Sequence, residues 1–127
     1  MLHHVSFPVA DIEKAALLYE AILGALGYRQ VDRDDRFVGY GVKDGEDQFA
    51  LKLRNPAIPA GPGFHLAFAA PSRAAVVAFH EQAMKYGARD NGAPGLRPHY
   101  GPHYFAAFVI DLDGHYVEAV YNQASAT

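Results

Sequence analysis

The chain repeats itself once. The segment HVSFPVADIEKAALLYEAILGALGY, from His4, aligns with HLAFAAPSRAAVVAFHEQAMKYGA, from His65, at an offset of 61 residues. At that offset Phe7 meets Phe68 and Glu20 meets Glu81, and Gly27 meets Gly87 after a one-residue gap. A repeat constrains the fold more than any local pattern. Each copy must form the same unit, and the copies bury their apolar faces against one another. The 127 residues therefore read as one domain, 1–127, made of two modules at about 1–55 and 64–123.

Each copy reads as strand, turn and helix. After Asp11, the apolar residues Ile12, Ala15, Tyr19, Ile22 and Leu26 recur every three or four positions, which predicts a helix. Asp11 is its candidate N-cap and Gly27 its stop. In the second copy Ser72 is the cap, and Val76, Phe79, Ala83 and Tyr86 form the stripe up to Gly87. Residues 36–43 and 48–54 read as strands around the turn DGED, and 104–111 and 115–121 as strands around LDG. A further strand is expected in each half, near Arg29 and near Arg89. The Pro- and Gly-rich segment 55–63 links the halves. A second such segment, 91–103, reads as a loop of the kind that often carries function. The glycines of VGYGV, beside Tyr40, predict a close backbone approach or a bulge.

Composition narrows the function. There are 0 cysteines, which excludes a disulfide framework, a thiolate metal site and a cysteine nucleophile. Net charge is −3, so no electrostatic case for nucleic acid arises. No apolar run approaches the ~18 residues of a membrane span. The opening MLHHVSFPVAD has neither the basic start nor the apolar stretch of a signal peptide, so a cytoplasmic protein is expected.

Strand parity then sorts the polar residues, because successive residues face opposite sides. Val5 and Phe7, like Leu66 and Phe68, should pack on the helices. His4 and His65 then look the other way, into whatever cup the sheets form. Glu118 shares a face with Val120, opposite Val117, Ala119 and Tyr121. A carboxylate inside HYVEAVY is costly to bury unless it is paired or metal-bound. Two imidazoles and a carboxylate suit iron, manganese, cobalt, nickel or zinc and leave coordination positions open. The other reading of the same residues is two core histidines with ordinary hydrogen bonds. Arg97, Tyr100, His103 and Tyr104, in RPHYGPHY, lead toward the Glu118 strand. There they either bind substrate or brace a loop. His3 is placed at an edge, His80 at a helix boundary and His115 in an exposed turn.

These residues also carry a family resemblance. LHHVSFPVADIEKAALLYEAILGALGY resembles the opening of the vicinal oxygen chelate superfamily. That superfamily includes glyoxalase I, bleomycin-resistance proteins, fosfomycin-resistance enzymes and extradiol dioxygenases. FHLAFAAPSRAAVVAFHEQA resembles its second module and FVIDLDGHYVEAVYN its closing strand. The resemblance implies an α+β fold of two βαβββ modules forming a curved, partly open barrel-like sheet, usually in a homodimer. It implies one divalent metal ion on His4, His65 and Glu118, and a small-molecule substrate with adjacent oxygens. Glyoxalase-like lyase or isomerase activity follows as the expectation. A ligand-sequestering protein of the bleomycin-resistance type, or a dioxygenase, is the alternative.

The departures from the family matter as much. Glyoxalase I carries a fourth ligand on the last strand of its first module, which it uses to move a proton. Matching the halves of this chain places Leu51 or Phe49 there, so true glyoxalase I chemistry is not expected. Extradiol dioxygenases carry a tyrosine ten positions before the glutamate, where this chain has Phe108.

Overall fold

The computed structural model describes residues 1–124. Each copy of the repeat forms one βαβββ unit. The first comprises β1 (Val5–Val9), α1 (Ile12–Gly24), β2 (Arg29–Asp34), β3 (Phe37–Gly41) and β4 (Phe49–Leu53). The second comprises β5 (Leu66–Ala69), α2 (Arg73–Lys85), β6 (Arg89–Leu96), β7 (Tyr104–Ile110) and β8 (Tyr116–Asn122). The sheets have strand orders β1-β4-β3-β2 and β5-β8-β7-β6. In each the first pair is parallel, the remaining pairs are antiparallel, and the sheet stays open. The fold is the expected α+β arrangement, with β1 and β5 as free edges.

The caps and stripes explain the helices. Asp11 accepts from the Lys14 N–H at 3.1 Å and Ser72 from the Ala75 N–H at 3.0 Å, satisfying donors that a helix start leaves orphaned. Gly27 and Gly87 take φ of 96° and 94°, where a side chain would be strained. Ile12, Ala15, Tyr19, Ile22 and Leu26 are all buried. In α2 the stripe of Val76, Phe79 and Ala83 is buried, whereas Tyr86, past the last turn, is exposed. α1 packs against α2, and one core runs through both modules. Phe49 bridges them, edge-on to Phe7 at 5.0 Å and to Phe68 at 5.2 Å between ring centroids.

A polar clamp joins the modules as well. The Tyr19 hydroxyl donates to Asp111 Oδ2 at 2.6 Å, and the Ala10 N–H donates to Asp113 Oδ1 at 2.9 Å. Asp111 Oδ1 accepts from the backbone N–H groups of Asp113 and His115. His115 Nε2 donates to the Pro8 carbonyl at 2.7 Å, and its ring stacks on Phe7 at 4.2 Å. His115 is thus buried, not exposed as its place after a turn implied. The turn is covered by the other module.

Two further expectations change in detail. His4 and His65 stand one residue ahead of β1 and β5 rather than inside them. Residues 91–96, expected as loop, belong to β6, with register shifts around Gly92 and Gly95. Pro94 is tolerated because β6 is an edge strand. The close approach expected at VGYGV is present: a Cβ on Gly39 would lie 2.7 Å from Asp47 Cβ.

Candidate functional site

The outward face of the second sheet carries the chemistry. Phe68, Val109, Val117 and Ala119 face the core, so Ala67, Phe108 and Glu118 share the opposite face. They lie in one row across the strands: Ala67 pairs with Glu118, Glu118 with Phe108, and Phe108 with Gly92. Glu118 is only 1% exposed. Its two oxygens are both engaged. His65 Nε2 lies 2.9 Å from Oε1, and the Tyr104 hydroxyl donates to Oε2. Burial, and then the Glu118 carboxylate, push the Tyr104 phenol well above its ordinary pKa, so it remains a donor. The His65 side chain is half exposed and lines a cleft of about 450 Å³ together with Arg97, Tyr100 and Phe108.

The structure gathers some of the expected residues and leaves others apart. His65, Glu118 and Tyr104 are in mutual contact through the carboxylate. Arg97 and Tyr100 line the adjoining cleft, and Tyr100 packs on Tyr104 at 5.2 Å. His103 is exposed and lies outside the lining of that cleft. His4 is also exposed, with Nδ1 2.9 Å from His3 Nδ1. It borders a different cleft, of about 190 Å³, with Tyr40, Gln48 and Phe49. Within one chain, no three metal-ligating side chains converge among the described residues. The chain therefore brings two of the three expected ligands together.

Sheet register also settles which residue corresponds to Glu118 in the first module. Ser6 pairs with Ala50 as Ala67 pairs with Glu118. The counterpart is therefore Ala50, not Leu51 or Phe49. Those two point into the core, where both are buried. Matching by turns slipped one residue, and one residue reverses the face.

A family model described as the Glyoxalase/Bleomycin resistance protein/Dioxygenase superfamily matches residues 1–119. The chain belongs to this superfamily. Members of the superfamily bind small-molecule substrates, commonly use a divalent metal and often form dimers. The chain is similar to a glyoxalase/bleomycin resistance protein from Albidiferax ferrireducens T118, at 26% identity and a TM-score of 0.81. That match covers 95% of this chain and 98% of the other. It shares the fold of the fosfomycin resistance protein FosX from Mesorhizobium loti (19% identity, TM-score 0.69, 97% and 92% covered). It also shares the fold of a glyoxalase I mutant from Zea mays (21%, TM-score 0.72, 94% and 46% covered). No curated protein matches the chain. No helix is long and apolar enough to cross a membrane.

Within the superfamily fold, the sequence reading missed the bond from Tyr104 to Glu118. The signal was available: Tyr104 lies four residues before Phe108 on one strand, and so on the same face.

Proposed function

We propose that this superfamily member is a metal-dependent cytoplasmic enzyme, a glyoxalase-like lyase or isomerase acting on a small substrate with adjacent oxygens. The observation that carries this reading is Glu118. A carboxylate buried on a sheet is costly unless its charge is compensated. Here one oxygen meets the imidazole nitrogen of His65, which itself lines an accessible cleft, and the other meets a phenol. That donor set fits a borderline divalent ion such as iron, manganese, cobalt, nickel or zinc. His65 Nε2 and Glu118 Oε1 would hold it.

The third donor is His4, taken from a second copy. His4 precedes the free edge strand β1 as His65 precedes the free edge strand β5, and one chain does not bring them together. A homodimer that sets β1 of one copy beside β5 of the other covers both edges and completes the set. When bound, the ion supplies Lewis acidity toward the substrate's oxygens. Tyr104 keeps the second carboxylate oxygen occupied and so fixes the orientation of Glu118. Tyr100 and Phe108 form an aromatic wall that positions the substrate and excludes water.

Metal analysis of protein purified without chelator tests the proposal, together with its sedimentation. Wild type should be a dimer holding close to one divalent ion per chain. His4→Ala, His65→Ala and Glu118→Gln should each lose it, because two remaining ligands form an incomplete set. His3 touches His4, so His80→Ala, whose ring pairs with Asp90, is the cleaner control. Equal metal content in all variants would leave a ligand-sequestering protein as the better reading.

A further inference from the structure

We propose that Arg97 forms an oxyanion subsite at the far end of the same cleft, making the ligand a small organic anion, a carboxylate or phosphonate. The part of this statement that places the ligand's other end at His65 and Glu118 rests on the reading above. The subsite itself does not.

Arg97 follows β6 and its backbone pairs with Tyr104, so its side chain rises on the face that carries Tyr104 and Glu118. The guanidinium runs back along β6 rather than out into solvent. One terminal nitrogen donates to the Gly95 carbonyl at 2.9 Å and the other to the Ala93 carbonyl at 2.7 Å. The group lies over the Phe108 ring, 5.4 Å from its centroid. Two glycines make this possible. A Cβ on Gly92 would sit 3.2 Å from one terminal nitrogen, and a Cβ on Gly95 would sit 3.2 Å from the other. The irregular register of β6 thus builds a flat seat for one cation.

That cation has no carboxylate partner among the described residues, although acidic residues outnumber basic ones in the chain. Two of its five N–H donors serve the carbonyls, which leaves three for a ligand. A guanidinium fork held in this way suits a planar or tetrahedral oxyanion. Its distance from Glu118 follows from the sheet. Gly92, Phe108 and Glu118 form one row on adjacent strands, so two strand spacings, about 10 Å, separate the ends. A small two-ended molecule spans that length, with its body against Phe108. The rival role for Arg97 is bracing alone: it ties down carbonyls that the bulges leave unpaired, and nothing binds.

Two arms separate these roles. In the first, metal-free protein is titrated with glutarate and with neutral glutaramide, following the Arg97 side-chain N–H resonance. Glutarate should bind saturably and shift that resonance, and glutaramide should not. Arg97→Met should weaken glutarate about tenfold or more, with Arg97→Lys between the two. This arm needs no metal, and its wild-type comparison survives even if a variant folds poorly. Equal behaviour of the two compounds, or an unchanged affinity in Arg97→Met, would overturn the proposal. In the second arm, glutaric acid monohydroxamate and pentanohydroxamate share one chelating head and differ in the terminal carboxylate. On metal-loaded protein both should bind, the acid about tenfold more tightly, with that advantage lost in Arg97→Met. If neither hydroxamate binds in a metal-dependent way, the metal reading fails while the first arm still decides Arg97. If both bind equally, the metal reading stands and the span to Arg97 is wrong.

Discussion

Replacing Tyr19 with phenylalanine tests whether the clamp between modules contributes to stability. The Tyr19 hydroxyl is fully buried and donates to Asp111 Oδ2 at 2.6 Å across 92 residues of sequence. Burial, reinforced by the Asp111 carboxylate, raises the Tyr19 pKa, so the hydroxyl remains a donor at neutral pH. The substitution removes one oxygen and changes the packing little. Asp111 would keep two backbone donors on Oδ1, but its Oδ2 would be left bare in a nearly buried residue. A hydrogen bond to a charged group is worth about 1.5–3 kcal/mol, and the penalty for leaving a buried acceptor unpaired places this one at about 2 kcal/mol. Unfolding entropy for a chain of this length is about 0.27 kcal/mol/K, so Tm should fall by about 7 °C. Calorimetry on Tyr19→Phe and on the exposed control Tyr116→Phe gives the comparison. A drop below about 2 °C for Tyr19→Phe, or an equal drop for the control, would refute the reasoning. Two separate transitions in wild type would refute it differently, by showing that the modules unfold independently.

Other expectations follow from the same contacts. Burial, together with the nearby Asp111 charge, raises the Asp113 pKa above its unfolded value, so the folded state holds that proton more tightly. Its favourable contribution is complete below the unfolded pKa and is lost as pH rises through the folded one. Asp113→Asn keeps an oxygen for the Ala10 N–H and should raise Tm at pH 7, a gain that should shrink toward about pH 4; a loss at pH 7 would contradict this. Tyr104→Phe should weaken divalent-ion binding by about ten- to hundredfold in calorimetric titration, because it frees one oxygen of Glu118 to swing. Unchanged affinity would show that the orientation of Glu118 does not depend on it. Ser72→Ala should cost about 1 kcal/mol through loss of the α2 cap, read as a shift in the urea midpoint. With Ala50 at the place of a fourth ligand, isomerisation of the methylglyoxal–glutathione adduct should stay at background; robust turnover would require another base.

The sequence was legible wherever one physical rule acted alone. Apolar spacing and the Asp11 and Ser72 caps marked both helices, because both features are local. Parity correctly put His65 and Glu118 on one face. Parity failed to predict distance, however. His4 obeys the same rule as His65, yet it lies beside another cleft, because parity orients a residue within its own sheet and says nothing of how two sheets are set. His115 was misjudged for a related reason. A residue after an Asp-Gly turn is exposed in its own module, and only the partner module's Pro8 and Phe7 bury it. Residues 91–96 were hidden by their own composition. Glycine and proline normally punctuate a chain, but here two bulges accommodate them within an edge strand.

The two modules also diverge in a way that bears on how the fold divides its labour. Equivalent positions on the two outward faces are Ser6 and Ala67, Ala50 and Glu118, Gly39 and Phe108. The second face bears a carboxylate and an aromatic ring where the first bears a methyl group and a hydrogen atom. The first face is therefore nearly flat at its centre, and Asp47 rests directly over Gly39. Asp47 and Phe37 thus fill the space that the missing side chain leaves at Gly39. If β1 of one copy lies beside β5 of another, the flat face of one stands next to the reactive face of its partner. His4 and Asp47 would then both be polar contributions of the first module. Changing Glu118 should thus change whether the metal binds at all, whereas no residue of the first module's outward row carries an equivalent carboxylate. The duplication permits this division because each half keeps its own core face while its outward face is free to vary.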